Sequence, residues 1–239
     1  MSVKVGVCPH DSSKNWSKWL DFFLYLSKKT GENLSPILSP NFEHYWSIFP
    51  TIDLAYSNPI DSLALEEKRG FLPVAGNDNY DEVVIFTKKG RSGEISGKKV
   101  GCVKDQFATF LGIKILRDMG VSGIDVKYYD SWQNVVSGVV KGEVDVGFLY
   151  KDFYDQLSNL SRREIEVLHV SKSGLFSHLF MVSPERKELR DKLLGALLEL
   201  DEEGKKLAEN LGIRRFYEVS SLEELRRFVG ESKAILSSH

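Results

Sequence analysis

The chain has 239 residues, 42% hydrophobic and 28% charged, which excludes a fibre, a peptide scaffold or a disordered segment and implies a sizeable core. Lys and Arg number 32 against 34 Asp and Glu, a net charge of -2, so nothing draws the chain generally toward nucleic acid or an anionic membrane. Cys8 and Cys102 cannot build a disulfide framework, no Cys or His cluster has zinc spacing, and no apolar run approaches the roughly 18 residues of a membrane span.

In chain order the sequence reads as one unit written twice, about 95 residues apart. Val3 to Cys8 and Lys99 to Val103 are short β-branched strands. Each leads into a helix: Trp16, Trp19, Leu20, Phe23, Leu24 and Ser27 recur at helical spacing up to Gly31, and Phe107, Phe110, Leu111 and Leu116 do so up to Gly120. A second strand follows near Leu34 to Leu38 and Ile124 to Tyr129, then a helix near Phe42 to Phe49 or Ser131 to Lys141. Ile52-Asp53-Leu54-Ala55-Tyr56 matches Val144-Asp145-Val146-Gly147-Phe148, each strand again entering a helix. Asp53 and Asp145, recurring at equivalent places, suit a repeated structural hydrogen bond and are left out of the site.

Such alternation predicts an α/β fold of two lobes, each a mostly parallel sheet flanked by helices. Asp81 to Thr87, running into a Gly90 to Gly93 turn, is expected to be a first crossover between lobes, and His178 to Val182 a second. That gives lobe 1 as 1–87 plus 182–239 and lobe 2 as 88–181, with the ligand cleft between them, where strand carboxyl ends meet. Ser183-Pro184-Glu185 starts a helix carrying Leu189, Leu193, Leu197 and Leu200, Asp201 starts another, and Ser221 to Glu224 is a capping box for a last short helix on lobe 1. Cys8 and Cys102 then sit on different lobes and are expected unbonded.

These segments, taken with Asp53 to Pro59, Tyr80 to Ile85, Gly97 to Gly101 and Val139 to Val146, resemble the periplasmic phosphonate-binding proteins, the substrate receptors of phosphonate and phosphite ABC importers, over residues 3 to 217. The resemblance implies the type 2 periplasmic-binding fold and a non-catalytic receptor that closes over a small polar ligand. It implies partners as well: ABC importer membrane subunits or a fused signalling module. A monomer in an extracytoplasmic location is expected, its signal peptide or anchor outside this sequence. No cofactor is implied. The alternative is an enzyme on the same fold, of the menaquinone-pathway type, although the sequence has no GxGxxG after the first strand, no Walker A run, no G-x-S-x-G elbow and no HExxH.

In that family a Ser-Thr-Ser run at a helix start holds the phosphonate against the helix dipole. Here the corresponding stretch is Asp105-Gln106-Phe107-Ala108-Thr109, in which only Thr109 keeps a hydroxyl and Asp105 is placed as an N-cap. Family positions carried over elsewhere are Phe42, Tyr80, Trp132 in place of a His, Asp152 as an amine-receiving carboxylate, and His178 in place of an Asp. Tyr56 and His10 join the candidate ligand residues because they end or follow strands. A structural role stands beside each: Trp132 and Phe107 as packing, Asp105 and Asp152 as caps, His10 in a solvated loop. Carboxylates with aromatic faces suit a cationic or zwitterionic ligand better than a phosphonate dianion.

Overall fold

The computed structural model describes residues 1–91, 93 and 95–237; Ser92, part of the predicted turn, lies outside them. In chain order the first elements are β1 (Val3–Val7), α1 (Pro9–Thr30), β2 (Leu34–Ile37), α2 (Phe42–Ile48), β3 (Leu54–Ser57), α3 (Pro59–Arg69) and β4 (Leu72–Asn77). Next come β5 (Val83–Lys88), β6 (Lys99–Val103), α4 (Phe107–Asp118), β7 (Asp125–Tyr129), α5 (Trp132–Lys141), β8 (Val146–Tyr150), α6 (Lys151–Asp155), α7 (Asn159–Arg163) and β9 (Ile165–Val170). The chain closes with β10 (Leu179–Val182), a 3-10 turn at Pro184–Arg186, α8 (Lys187–Leu198), α9 (Glu202–Asn210), β11 (Phe216–Glu218) and α10 (Glu223–Ser237). Among the described residues no helix is long and apolar enough to cross a membrane.

Two compact units result: Met1–Tyr80 with Phe176–Glu224, and Asp81–Leu175 with Leu225–His239. The first carries a sheet ordered β11-β4-β10-β3-β1-β2, the second one ordered β7-β6-β8-β5-β9. β1 runs parallel to β2 and β3, and β6 runs parallel to β7 and β8; β10 lies antiparallel between β3 and β4, β11 antiparallel beside β4, and β5 antiparallel between β8 and β9, so both sheets are mixed.

The expected boundaries at 87/88 and 181/182 move for a pairing reason. β5 forms its ladders with β8 and β9, which places it wholly in the second unit. The expected assignment of the last helix to lobe 1 is also corrected. α10 runs for 15 residues, and its Phe228 ring lies 5.5 Å from that of Phe107 while the Lys233 ammonium sits over Phe110. The chain therefore passes between units three times, not twice.

The predicted duplication is visible in hydrogen bonds. Asp53 accepts the Lys4 N–H on Oδ2 at 2.9 Å and returns its own N–H to the Lys4 carbonyl. Asp145 does the same for Lys99, at 3.0 Å. Each carboxylate fixes the start of one strand against the start of its neighbour. The equivalence Lys4 to Lys99 also pairs Gly6 with Gly101. A Cβ on Gly6 would meet Ile52 and Tyr45 at 3.0 and 3.2 Å, and one on Gly101 would meet Val144 at 2.9 Å.

The first unit's core gathers on α1, where Trp19, Phe22, Phe23 and Leu26 are buried against the sheet with Tyr56, Phe180 and Phe216. Full burial of one such side chain contributes about 1.5–3 kcal/mol. The buried face is rotated from the predicted stripe, since Leu20 and Leu24 are exposed. Gly31, at φ 71°, ends the helix with a left-handed cap. Leu189, Leu193 and Leu197 of α8 join this core as predicted, and Asp201 caps α9 by accepting the Gly204 N–H.

Candidate functional site

The side chains that meet at strand carboxyl ends in the first unit are Cys8, His10, Asp11 and His178. Pro9 begins α1 and holds Cys8 in an extended conformation, φ -51° and ψ 133°. The Cys8 N–H donates to the Tyr56 carbonyl, and the Cys8 carbonyl receives the N–H groups of Asp11 and Ser12. This anchors the first turn of α1, separated from the rest of the helix by the non-helical Asn15, and with it His10 and Asp11. His178 precedes Leu179, which stands opposite Ser57.

The resulting geometry is close. His178 Nε2 lies 3.3 Å from Asp11 Oδ2. The His178 ring is 5.7 Å from that of Tyr56 and 6.0 Å from that of His10, and His10 meets Phe42 edge-on at 4.9 Å. Asn58 points its Nδ2 at Cys8 Sγ, 3.6 Å away, and also donates to Asp61 Oδ2 at 2.7 Å. Asp61 Oδ1 receives the Trp46 indole N–H at 3.0 Å.

Burial governs the protonation of this corner. It pushes the Cys8 thiol up, with the charge of His178 opposing it. It holds His10 well below the usual imidazole range, helped by the positive charges of His178 and Lys14. Burial also pushes Asp61 up to about 6, against the hydrogen bonds from Asn58 and Trp46. Both cysteines are free and buried.

Of the eleven predicted ligand residues, the first unit brings together His10, Phe42, Tyr56 and His178. Tyr56 is corrected from ligand contact to core: it is 1% exposed, its hydroxyl receives the Asn77 amide at 2.9 Å, and its ring lies 4.4 Å from Trp19. Strand parity turns it inward. His10 is likewise corrected from solvated loop to helix, partly buried in the first turn of α1. Tyr80, also in this unit, bridges to Ser177 through its backbone and stacks on Tyr217.

The other six lie in the second unit. Asp105 does not cap α4; it sits at φ 53°, exposed, and Gln106 holds the N-cap without a side-chain bond. Phe107 is buried against Phe228. The Thr109 hydroxyl donates to the Val103 carbonyl at 2.6 Å. Trp132 opens α5 and is 8% exposed, and Asp152 receives the Tyr150 hydroxyl at 3.2 Å.

Sequence reasoning missed Cys8, Asp11, Asn58 and Asp61. The available signal was Cys8-Pro9-His10-Asp11, three polar side chains at a strand end with a proline fixing the backbone. His178, supplied by a distant strand, gives the cluster no sequence spacing.

A family model described as ABC transporter, phosphonate, periplasmic substrate-binding protein matches residues 5–224. PhnD1 from Prochlorococcus marinus, solved with methylphosphonate, is similar at 15% identity and a TM-score of 0.74, covering 97% of this chain and 98% of that one. A binding protein component of an ABC phosphonate transporter from Pseudomonas aeruginosa is similar at 14% identity and a TM-score of 0.71, covering 98% and 87%. The periplasmic aliphatic sulphonate binding protein SsuA from Escherichia coli follows at 15% and 0.68, covering 99% and 87%. A comparison with curated proteins finds no match.

Proposed function

The chain belongs to the periplasmic substrate-binding proteins of phosphonate ABC transporters, and from that premise we propose that it is a non-catalytic receptor whose solute is a small cation or zwitterion rather than a phosphonate dianion. The family implies an extracytoplasmic location and ABC-transporter membrane subunits as partners. The alternative of an enzyme on this fold draws no support from the family. We further propose that the chain works as a monomer without nucleic acid, in import or in a sensory module.

One observation carries the choice of ligand class. At the N-terminus of α4, the Thr109 hydroxyl is committed to the Val103 carbonyl and Gln106 makes no side-chain cap bond. Beside that helix start, next to the exposed Lys104, stands the exposed carboxylate of Asp105. Two unit negative charges about 4 Å apart repel by roughly 1 kcal/mol even in bulk water. An ammonium group there gains instead, and a charge-assisted hydrogen bond to a carboxylate contributes about 1.5–3 kcal/mol.

Calorimetry at low salt tests the reading by comparing methylphosphonate, phosphate and phosphite with amines and amino acids, in the wild type and in Asp105→Ser. Binding of an amine or amino acid by the wild type, with phosphonate binding gained only in the variant, is the expected result. Submicromolar binding of methylphosphonate by the wild type overturns it.

A further inference from the structure

Among the described residues, one group of three or more Cys, His, Asp or Glu side chains is placed to hold a metal ion: Cys8, His10 and His178, whose donor atoms all lie within 4.8 Å of one another. We propose that these three side chains bind a zinc-class divalent transition-metal ion at the carboxyl end of β1. The site stands on the first unit alone and does not depend on which organic solute the protein takes.

The donor set decides the metal class. One thiolate and two imidazoles match Zn2+ and its late first-row neighbours, whereas Mg2+ and Ca2+ take oxygen donors. Bonds of about 2.3 Å to sulfur and 2.0–2.1 Å to nitrogen put donors around one tetrahedral ion roughly 3.3–3.7 Å apart. Side chains already within 4.8 Å therefore need to close by at most about 1.5 Å.

The surroundings fit as well. The backbone beneath Cys8 is fixed by Pro9 and by its bond to Tyr56, and the first turn of α1 is hung on the Cys8 carbonyl. Asn58 Nδ2 approaches Cys8 Sγ, the outer contact that orients a metal-bound sulfur. Asp11 Oδ2 lies 3.3 Å from His178 Nε2, so a carboxylate stands beside the three donors.

The fold itself does not ask for these donors. The latches Asp53–Lys4 and Asp145–Lys99 set the register between units, so Cys8 corresponds to Val103. Leu179 opposite Ser57 corresponds to Val84 opposite Leu149, so His178 corresponds to Val83. The second unit thus closes the same strand ends with two valines. Replacing them in the first unit by a thiol and an imidazole that converge with His10 is a departure that metal binding accounts for.

The test uses the full chain, reduced and stripped with a chelator, titrated with Co2+ and Zn2+. One equivalent of Co2+ is expected to give a thiolate-to-cobalt charge-transfer absorption that Zn2+ displaces. Cys8→Ser is expected to abolish that absorption, and both Cys8→Ser and His10→Gln to weaken zinc binding by more than the roughly 10–100-fold that loss of an outer-shell partner costs. Cys102→Ser leaves both readouts unchanged. Should Cys8→Ser fail to fold by circular dichroism, His10→Gln carries the zinc measurement. Absence of the charge-transfer band in the wild type, its loss in Cys102→Ser, or wild-type zinc affinity in His10→Gln overturns the proposal.

Discussion

The two units share a strand order and a carboxylate latch yet differ wherever a strand ends. Read outward from the latched strands, the first unit runs β2-β1-β3-β10-β4 and the second β7-β6-β8-β5-β9, with the fourth strand antiparallel in both. Strand starts are kept in place by Asp53 and Asp145, which bind backbone N–H groups and so act whatever the neighbouring side chains are. At the carboxyl ends, the first unit has Cys8, Asn58 and His178 where register gives the second Val103, Tyr150 and Val83. The difference teaches that the scaffold is fixed through main-chain bonds at one edge, which leaves side chains at the other edge available for ligand chemistry.

The comparison can be broken first through its cores. Phe180 and Ile85 occupy equivalent places on the antiparallel strands, opposite Tyr56 and Phe148, and both are fully buried. Phe180→Ala is expected to cost about 3–5 kcal/mol and Ile85→Ala about 2–5 kcal/mol, read as lower urea midpoints at an unchanged slope. A loss in only one of them would show that the matching registers do not carry matching packing.

A second effect separates the units by pH. Asp61 stands in the first unit at the place where register gives the second Phe153. Its carboxyl is pushed by burial from 3.8 to about 6. Between those values the folded chain holds a proton that the unfolded chain has released, so stability is full below about pH 4 and falls as pH rises through 6. A shift of about 2 units corresponds to roughly 3 kcal/mol. Urea midpoints measured from pH 4 to 7 are expected to show this fall in the wild type and to lose it in Asp61→Asn; an unchanged slope in the variant would place the titration elsewhere.

The smallest effect sharpens the likeness. Asp53→Ala and Asp145→Ala each remove a carboxylate hydrogen bond to a strand start, and Asp53→Ala also removes a 3.9 Å ion pair with Arg186; each hydrogen bond is expected to be worth about 1 kcal/mol. Asn at either position recovers part of it. Equal losses in thermal melts support equivalence of the latches, whereas a loss confined to one unit makes the other ornamental.

Much of this duplication was legible because its signals are local. Asp53 and Asp145 each precede a short, fully buried strand, and turn carboxylates act on backbone a few ångströms away. β4, β9 and β11 were missed: β4 carries Pro73 and Gly76 and β9 carries Glu166 and His169, so neither reads as an uninterrupted apolar run. On α1 aromatic and leucine residues cover more than half the circumference, and only packing decides that Phe22 and Leu26 turn inward while Leu20 and Leu24 do not. The site was least legible. The latches pair Cys8 with Val103, so the two cysteines are not equivalent positions of the duplicated unit. The meeting of Cys8 with His178 depends on β10 entering beside β3, which no local pattern encodes.

That entry of β10 also sets a timetable for synthesis. The second unit's five strands, β5 to β9, leave the ribosome as one continuous stretch, so its sheet can close as soon as residue 170 is clear. The first unit's sheet begins earlier and finishes later: β3 and β4 are made before residue 80, yet the strand that hydrogen-bonds between them spans Leu179–Val182. At about 5–20 residues per second, β3 and β4 wait on the order of 5–20 s with facing edges unpaired. The nascent N-terminal stretch is therefore the portion most in need of a holding chaperone, although it is the first to be made.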